Sequence, residues 1–281
     1  MTRLAPYVFA GGTAVVTGAA GGMGEQLARL LADRGSALVL VDRDADRLAA
    51  VVAAIRAAHP ALDVSSRVVD LAEPEQVTAL ADWILAEHPR PTLLVNNAGV
   101  ALAGRFDQLT MTEFDWVLQV NFAAPVALTH ALLPALLASP GSHIVNLSSL
   151  YGLVAPAGQT AYAASKFALR GFSQALGGEL ERCGVGVTTV HPGGIRTRIA
   201  ETARIAAAAS PAQAEAGKAR MAKLLTYPAD RAAAEILDGV QHRRPRVLIT
   251  RTATALDLLS RLLPVGHQRL LTRLSLGARR R

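Results

Sequence analysis

Thr17-Gly18-Ala19-Ala20-Gly21-Gly22-Met23-Gly24 closes the β-branched apolar run Thr13–Thr17 and opens onto a helical stripe of Leu27, Leu30 and Leu31. Glycines let a backbone turn sharply and come close to a pyrophosphate. The start of the following helix adds unpaired N–H groups and the positive end of a dipole. The spacing is Gly18, then Gly22 and Gly24, and not the G-x-G-x-x-G form. A glycine turn alone is weak evidence. Directly after a first strand and before a helix, it predicts a nucleotide site.

The pattern continues outward from that loop. Ala37–Val41, Val64–Val69, Leu93–Asn96, Ile144–Leu147, Val187–Val190 and Val247–Ile249 are further short apolar runs, which suit strands buried on both faces of a parallel sheet. Helical spacing fills the gaps at Glu25–Arg34, Asp44–Ala58, Pro74–Glu87, Thr112–Leu137 and Tyr162–Cys183. Repeated strand–helix alternation predicts an α/β fold, a doubly wound parallel sheet of seven strands. No linker rich in Pro, Gly or Ser divides the chain and no repeat is seen, so residues 1–281 are expected to form one domain.

Composition narrows the function classes. With 51% hydrophobic and 18% charged residues, extensive disorder is excluded. The longest apolar runs are broken by Asp, Arg, Gly or Pro, so no segment is expected to cross a membrane, and Met1–Tyr7 lacks the features of a signal peptide. A single cysteine, Cys183, leaves no internal disulfide and no Cys-based zinc cluster; it is read as an inert thiol, and a reducing cytoplasm is the expected location. No histidine spacing suggests a metal. The net charge of +7 is uneven: residues 241–281 hold ten Arg and one acid, Asp257, and the rest sums to −2. A short basic tail on a mildly acidic body argues against nucleic-acid binding.

Several segments carry candidate chemistry. Asp42 ends the second strand, 24 residues past Gly18, where a carboxylate can accept hydrogen bonds from a ribose diol and repel a 2′-phosphate. Arg43 follows it and is suited to pair with that phosphate instead. Asn96-Asn97-Ala98-Gly99 ends the fourth strand, Ser148-Ser149 the fifth, and Tyr162-Ala163-Ala164-Ser165-Lys166 opens the long helix after it. Tyr162 and Lys166, four apart, share a helical face. Strand ends at the carboxyl edge of such a sheet line its ligand crevice, so these residues should converge. A tyrosine pKa of about 10 is too high for a base at neutral pH, and a nearby cation such as Lys166 lowers it. His191 is read as packed or capped.

Together these pieces resemble the short-chain dehydrogenase/reductase family, Rossmann-like in fold. The match rests on Thr17-Gly18-x-x-x-Gly22-x-Gly24, Asp70, Asn96-Asn97-Ala98-Gly99, Asn121, Ser149, Tyr162-x-x-x-Lys166, and Pro192-Gly193 with Thr197, and it runs from about residue 9 to 250. Ser149, thirteen residues before Tyr162, fits the family pattern better than Ser148. The resemblance implies Tyr162 as general acid/base and Ser149 as the holder of the substrate oxygen. It implies Lys166 on the nicotinamide ribose, and Asn121 as anchor of a water leading protons to solvent. Cofactor contacts are implied for Gly18, Gly22, Met23, Gly24, Asp42, Arg43, Asp70, Leu71, Asn97, Ala98, Gly99, Tyr162, Lys166, Pro192, Gly193, Ile195 and Thr197. In this reading Asp70 meets the adenine amino group, while the Ile195 backbone and Thr197 hydroxyl hold the carboxamide.

The expected function is hydride transfer between a nicotinamide cofactor, NAD favoured over NADP, and a largely apolar secondary alcohol or ketone. The apolar segment Leu150–Ala157 motivates the substrate class. The alternative is a dinucleotide-binding regulator or scaffold without turnover. By resemblance, residues 198–227 form a mobile lid and the protein is a homodimer or homotetramer. Residues 251–281 read as a basic amphipathic extension. Its stripe of Leu256, Leu259, Leu262 and Leu263 lies opposite Asp257, Ser260 and Arg261, and Leu270, Leu271 and Leu274 resume after Pro264. It is suited to packing on a neighbouring subunit or to peripheral contact with an anionic membrane.

Overall fold

A computed structural model describes residues 4–270. In chain order the elements are β1 (Thr13–Thr17), α1 (Gly22–Asp33), β2 (Ala37–Asp42), α2 (Ala45–Ala58), β3 (Val64–Val68), α3 (Pro74–Glu87), β4 (Leu93–Asn96), β5 (Leu102–Ala103), α4 (Met111–Leu118), a π-helical turn (Gln119–Ala123) and α5 (Ala124–Leu137). There follow β6 (His143–Leu147), α6 (Thr160–Leu180), β7 (Gly186–Pro192), α7 (Ile199–Thr202), β8 (Arg204–Ile205), α8 (Pro211–Leu224), α9 (Ala229–Gln241), β9 (Arg246–Ile249) and α10 (Arg251–Leu262).

Seven strands form one parallel sheet in the order β3-β2-β1-β4-β6-β7-β9. The chain winds outward from β1 to β3, returns to place β4 beside β1, and winds the other way. The switch point therefore falls between Thr17 and Asn96, where such a sheet opens a crevice. The inner strands are short apolar runs because both faces are covered, whereas the edge strand β3, Val-Ser-Ser-Arg-Val, is largely exposed. Leu27 and Leu31 of α1, Val51 and Ile55 of α2, and Ile236 and Leu237 of α9 pack one face. Leu80 of α3, Leu128 of α5 and Leu176 of α6 pack the other. All seven strands fall where the apolar runs predict them, within two residues at each end.

Three features depart from the sequence reading. Helix α9 was not anticipated; its inner stripe rests on Ala232 and Ala233 as much as on Ile236 and Val240, and alanines give a weak periodic signal. The continuous helix Met111–Leu137 is, by length and composition, apolar enough to cross a membrane, contrary to the expectation that no segment would be. Its apolarity has a packing cause: Val117, Val120, Ala124, Leu128, Leu132 and Leu136 are buried inside the protein.

The third correction concerns α10. Its inner face carries Ala253 and Asp257, both buried, and Asp257 is ion-paired to Arg246 of β9 and to Arg261 (3.1 Å). Two cationic partners make a buried carboxylate tolerable. The acid thus faces inward, and Leu262 and Leu263 of the expected stripe face outward with Leu258. Leu271 and Leu274 lie outside the described residues.

Candidate active site

The glycine loop is fixed from three sides. Gly18 has φ +67°, and a Cβ on Gly24 would run into the Gly18 carbonyl, so both positions require glycine. Asn97 at the end of β4 donates its side-chain N–H groups to the carbonyls of Thr17 (2.9 Å) and Gly18 (3.1 Å). The Ala20 N–H donates to Asp42 Oδ2 (2.9 Å) and the Asp44 N–H to Asp42 Oδ1 (3.1 Å), so the carboxylate closing β2 also braces the loop. Each oxygen keeps a lone pair for a ligand. No side chain caps the start of α1 at Gly21, which leaves the N-terminal amides open to an anion.

Beside this loop lies a cleft of about 270 Å³. Of the residues expected at a cofactor, Gly18, Gly22, Met23, Asp42, Arg43, Asp70, Leu71, Asn97, Ala98, Gly99 and Thr197 line it. Arg47, which the sequence reading passes over, lines it too, and so does Arg198, which that reading places at the flank of the site and turned outward. Arg47 is one helical turn past Arg43 and ion-pairs with Asp44 (3.4 Å). Arg198 pairs with Glu201 (3.1 Å). Two further expected residues sit behind the cleft: Gly193 packs against Thr250 and Ile195 is buried. The Ile195 N–H donates to the Gly193 carbonyl (3.0 Å), so a backbone contact from Ile195 to a ligand falls to its own carbonyl.

The second cluster adjoins the cleft at Gly99, where a Cβ would lie 3.2 Å from Asn121 Oδ1 and 3.3 Å from Lys166 Nζ. Ser149 follows β6 in extended backbone, and its Oγ accepts the Tyr151 N–H (3.1 Å). Tyr162, in the first turn of α6, hydrogen-bonds the Ser149 side chain. Ser148 points away and donates to the Lys166 carbonyl (2.8 Å), tying α6 to β6. Of the two serines, Ser149 is the one that meets Tyr162. Lys166 is buried; its Nζ donates to the Leu147 carbonyl (2.8 Å) and lies 5.7 Å from the Tyr162 ring centroid.

Burial dominates the electrostatics of this cluster. It pushes the Tyr162 phenol up to about 12, against the Ser149 hydrogen bond and with the Tyr151 ring's neighbourhood adding to the rise. It pulls the Lys166 ammonium down to about 8. The lowering expected from a nearby cation is not realised here, because burial in a low-dielectric site makes the phenolate costly.

Asn121 sits in the π-helical turn, which rotates it out of the helix ladder. Its Oδ1 accepts the Val100 N–H (2.8 Å), and its Nδ2 donates to the Val100 carbonyl (3.0 Å) and to Ser165 Oγ (3.1 Å). Both amide protons are engaged and one lone pair remains. The long helix was predicted without this turn, whose residues carry no local signal for it. His191 is fully buried, with Nδ1 3.0 Å from the Ser149 carbonyl. Burial, and secondarily the positive charges of Arg246 and Arg170, push it down to about 4, so it is neutral and donates that bond. It supports the Ser149 turn from below, a packed role of the kind expected. Among the described residues no group of His, Cys, Asp or Glu is placed to hold a metal ion.

The comparisons bear on this geometry. A family model described as short chain dehydrogenase matches residues 12–208. SadH of Mycobacterium tuberculosis, named as an oxidoreductase, is 39% identical over 264 residues, 93% of this chain and 94% of its own. A short-chain dehydrogenase/reductase from Burkholderia phymatum, solved in complex with NAD, superposes with a TM-score of 0.83 at 29% identity over 92% of this chain and 95% of that one. A short chain dehydrogenase from Burkholderia cenocepacia J2315, solved with NADP, gives 0.74 at 33% identity over 88% and 99%. With the strand order and the Ser149–Tyr162–Lys166 cluster at the carboxyl edge, these matches place the chain in the short-chain dehydrogenase family of oxidoreductases.

Proposed function

We propose that this chain interconverts a largely apolar secondary alcohol and its ketone, with NAD preferred over NADP. The observation that carries the reading is the meeting, at Gly99, of a cleft built for a dinucleotide with the Asn121–Lys166–Tyr162 cluster. The cradle fits that cofactor. A Cβ on Gly24 has no room, the first amides of α1 are uncapped, and the Asp42 carboxylate stands where a ribose diol would meet it. The related structures hold NAD in one case and NADP in another. The charge of Asp42 on the cleft wall favours NAD, because a 2′-phosphate beside it would be repelled.

The phosphates would lie against Gly18, Gly22 and Met23, with Arg47 at hand, and Asp70 and Leu71 would flank the adenine. Asn97 and Ala98 shape the cleft wall, and Thr197 and the Ile195 carbonyl would meet the carboxamide. When bound, the nicotinamide supplies or accepts the hydride, and its oxidised ring adds the positive charge that Tyr162 needs. Tyr162 gives its proton to the ketone oxygen in reduction and takes it from the alcohol in oxidation. Ser149 Oγ holds that oxygen in line. Lys166 orients the ribose, its positive charge favours the Tyr162 phenolate electrostatically, and Asn121 keeps the turn beneath it in place. Leu150, Tyr151, Ala155 and Pro156 border the substrate side with partial exposure, so burial of an apolar body there is favourable. Arg198, which lines the cofactor cleft, is paired with Glu201.

A matched panel of apolar, polyhydroxylated and carboxylate-bearing alcohols and ketones, followed by nicotinamide absorbance with NAD and NADP, tests this. The best kcat/KM should belong to an apolar secondary alcohol with NAD. A charged best substrate, or a preference for NADP, would overturn the corresponding part.

A further inference from the structure

The outer face of α10 has no role in the chemistry above. Its inner face is seated on the protein by buried Ala253 and by Asp257 between Arg246 and Arg261. The chain then turns and is tied down again where the Gln268 side-chain amide donates to the Ala155 carbonyl (2.6 Å). Between these two anchors, beside the exposed Arg261, four outward residues are large and apolar: Leu258 is 56% exposed, Leu262 69%, Leu263 48% and Val265 74%. Scattered surface leucines need no explanation, but four within eight residues on a twice-anchored segment form a patch.

The charge around the patch selects its partner. Residues 241–281 carry ten Arg and a single acid, and that acid is already paired inward. Arg251 and Arg269, at the two ends of the patch, are exposed. A two-fold contact with a second copy would set these arginines against their own counterparts with no carboxylate in the segment to offset them. An anionic bilayer offers both halves of the complement, a hydrocarbon boundary for the leucines and phosphates for the arginines. We propose that α10 and the turn after it dock on an anionic lipid surface, with Leu258, Leu262, Leu263 and Val265 entering the headgroup boundary and Arg251 and Arg269 facing the phosphates.

The full chain should be sedimented with vesicles of phosphatidylcholine and phosphatidylglycerol in equal parts, and with vesicles of phosphatidylcholine alone, at low and high salt. The proposal expects co-sedimentation with the anionic vesicles only, weakened by salt. Leu258→Ser/Leu262→Ser/Leu263→Ser should abolish it with melting temperature and dinucleotide binding retained. If that variant fails to fold, Arg251→Gln/Arg269→Gln, which touches only exposed side chains, should lower partitioning by about tenfold or more. Absence of binding to anionic vesicles would overturn the proposal. So would binding that both variants leave intact. A serine variant that binds vesicles as before but changes from dimer to monomer on sizing would overturn it in favour of a contact between copies.

Discussion

The loop Gly18–Gly24 and the helix α8 both carry glycine, on opposite terms. In the loop a single added methyl on Gly24 meets the Gly18 carbonyl, and Asn97 and Asp42 hold the same few backbone groups from two other strands. In α8 a methyl on Gly217 would meet nothing within 4 Å, and none of its described residues is buried. One region is determined several times over by the shape of a dinucleotide, which does not vary between relatives' substrates. The other is held by little beyond its own helical bonds and its Ser210 cap, and is free to differ. The contrast explains why a cofactor class can be argued from this chain more firmly than any one substrate.

Substitutions can widen or collapse that contrast. The largest effect belongs to Tyr162→Phe, which removes one hydroxyl and keeps the ring: kcat should fall by roughly 10²–10⁴-fold with the dinucleotide Kd unchanged, measured by turnover and by cofactor fluorescence. Next is acid sensitivity, which should reside in the sheet and not in the segment 198–227. His143 and His191 are buried, and burial holds them down to about 3 and about 4 against an ordinary value of 6.5. Between pH 6.5 and 4 the unfolded chain therefore takes up protons that the folded chain refuses, and stability falls as pH falls. The loss is on the order of 3 kcal/mol per histidine by pH 4. Denaturant midpoints across that range should show it, and His143→Gln should flatten part of the slope; an unchanged slope would remove His143 from the account.

Gly24→Ala comes third: overpacking of about 1–3 kcal/mol should weaken dinucleotide binding by roughly tenfold or more, read by titration. Asp42→Asn keeps an oxygen for the Ala20 N–H but removes the charge, and should raise the NADP-to-NAD ratio of kcat/KM by about tenfold. An unchanged ratio would mean that Arg43 and Arg47 already set the preference. Smallest is Gly217→Ala, which should leave cofactor binding alone and raise stability by about 0.5–1 kcal/mol.

The same contrast governs what could be read from the sequence. The inner strands were legible because they are short runs rich in apolar and β-branched residues, and α3 because Pro74 marks its start. The site was legible because its residues stand at strand ends and on one helical face, where short spacings fix the geometry. The π-turn at Gln119–Ala123 was not, since its cause is tertiary: Asn121 is pulled between Val100 and Ser165. Nor was Arg47, which reaches the cleft from α2, a helix whose approach depends on packing. The orientation of α10 was misread because Asp257 counted as a surface residue, whereas its partner Arg246 lies on a different strand and turns it inward. The pair β5 and β8, two residues each, exists only because the chain after β7 folds back on the chain after β4.

The central claim is that the Ser149–Tyr162–Lys166 cluster moves a proton while a dinucleotide in the adjoining cleft exchanges hydride with the substrate. The direct measurement uses an apolar secondary alcohol deuterated at the carbinol carbon, with mass analysis of the reduced dinucleotide. The wild-type protein should deliver the deuterium to the cofactor, and Tyr162→Phe should bind the cofactor equally well and deliver it at least a hundredfold more slowly, the lower end of about 10²–10⁴. Deuterium transfer by the variant at the wild-type rate, or its absence from the cofactor when the wild-type protein turns the alcohol over, would contradict the account.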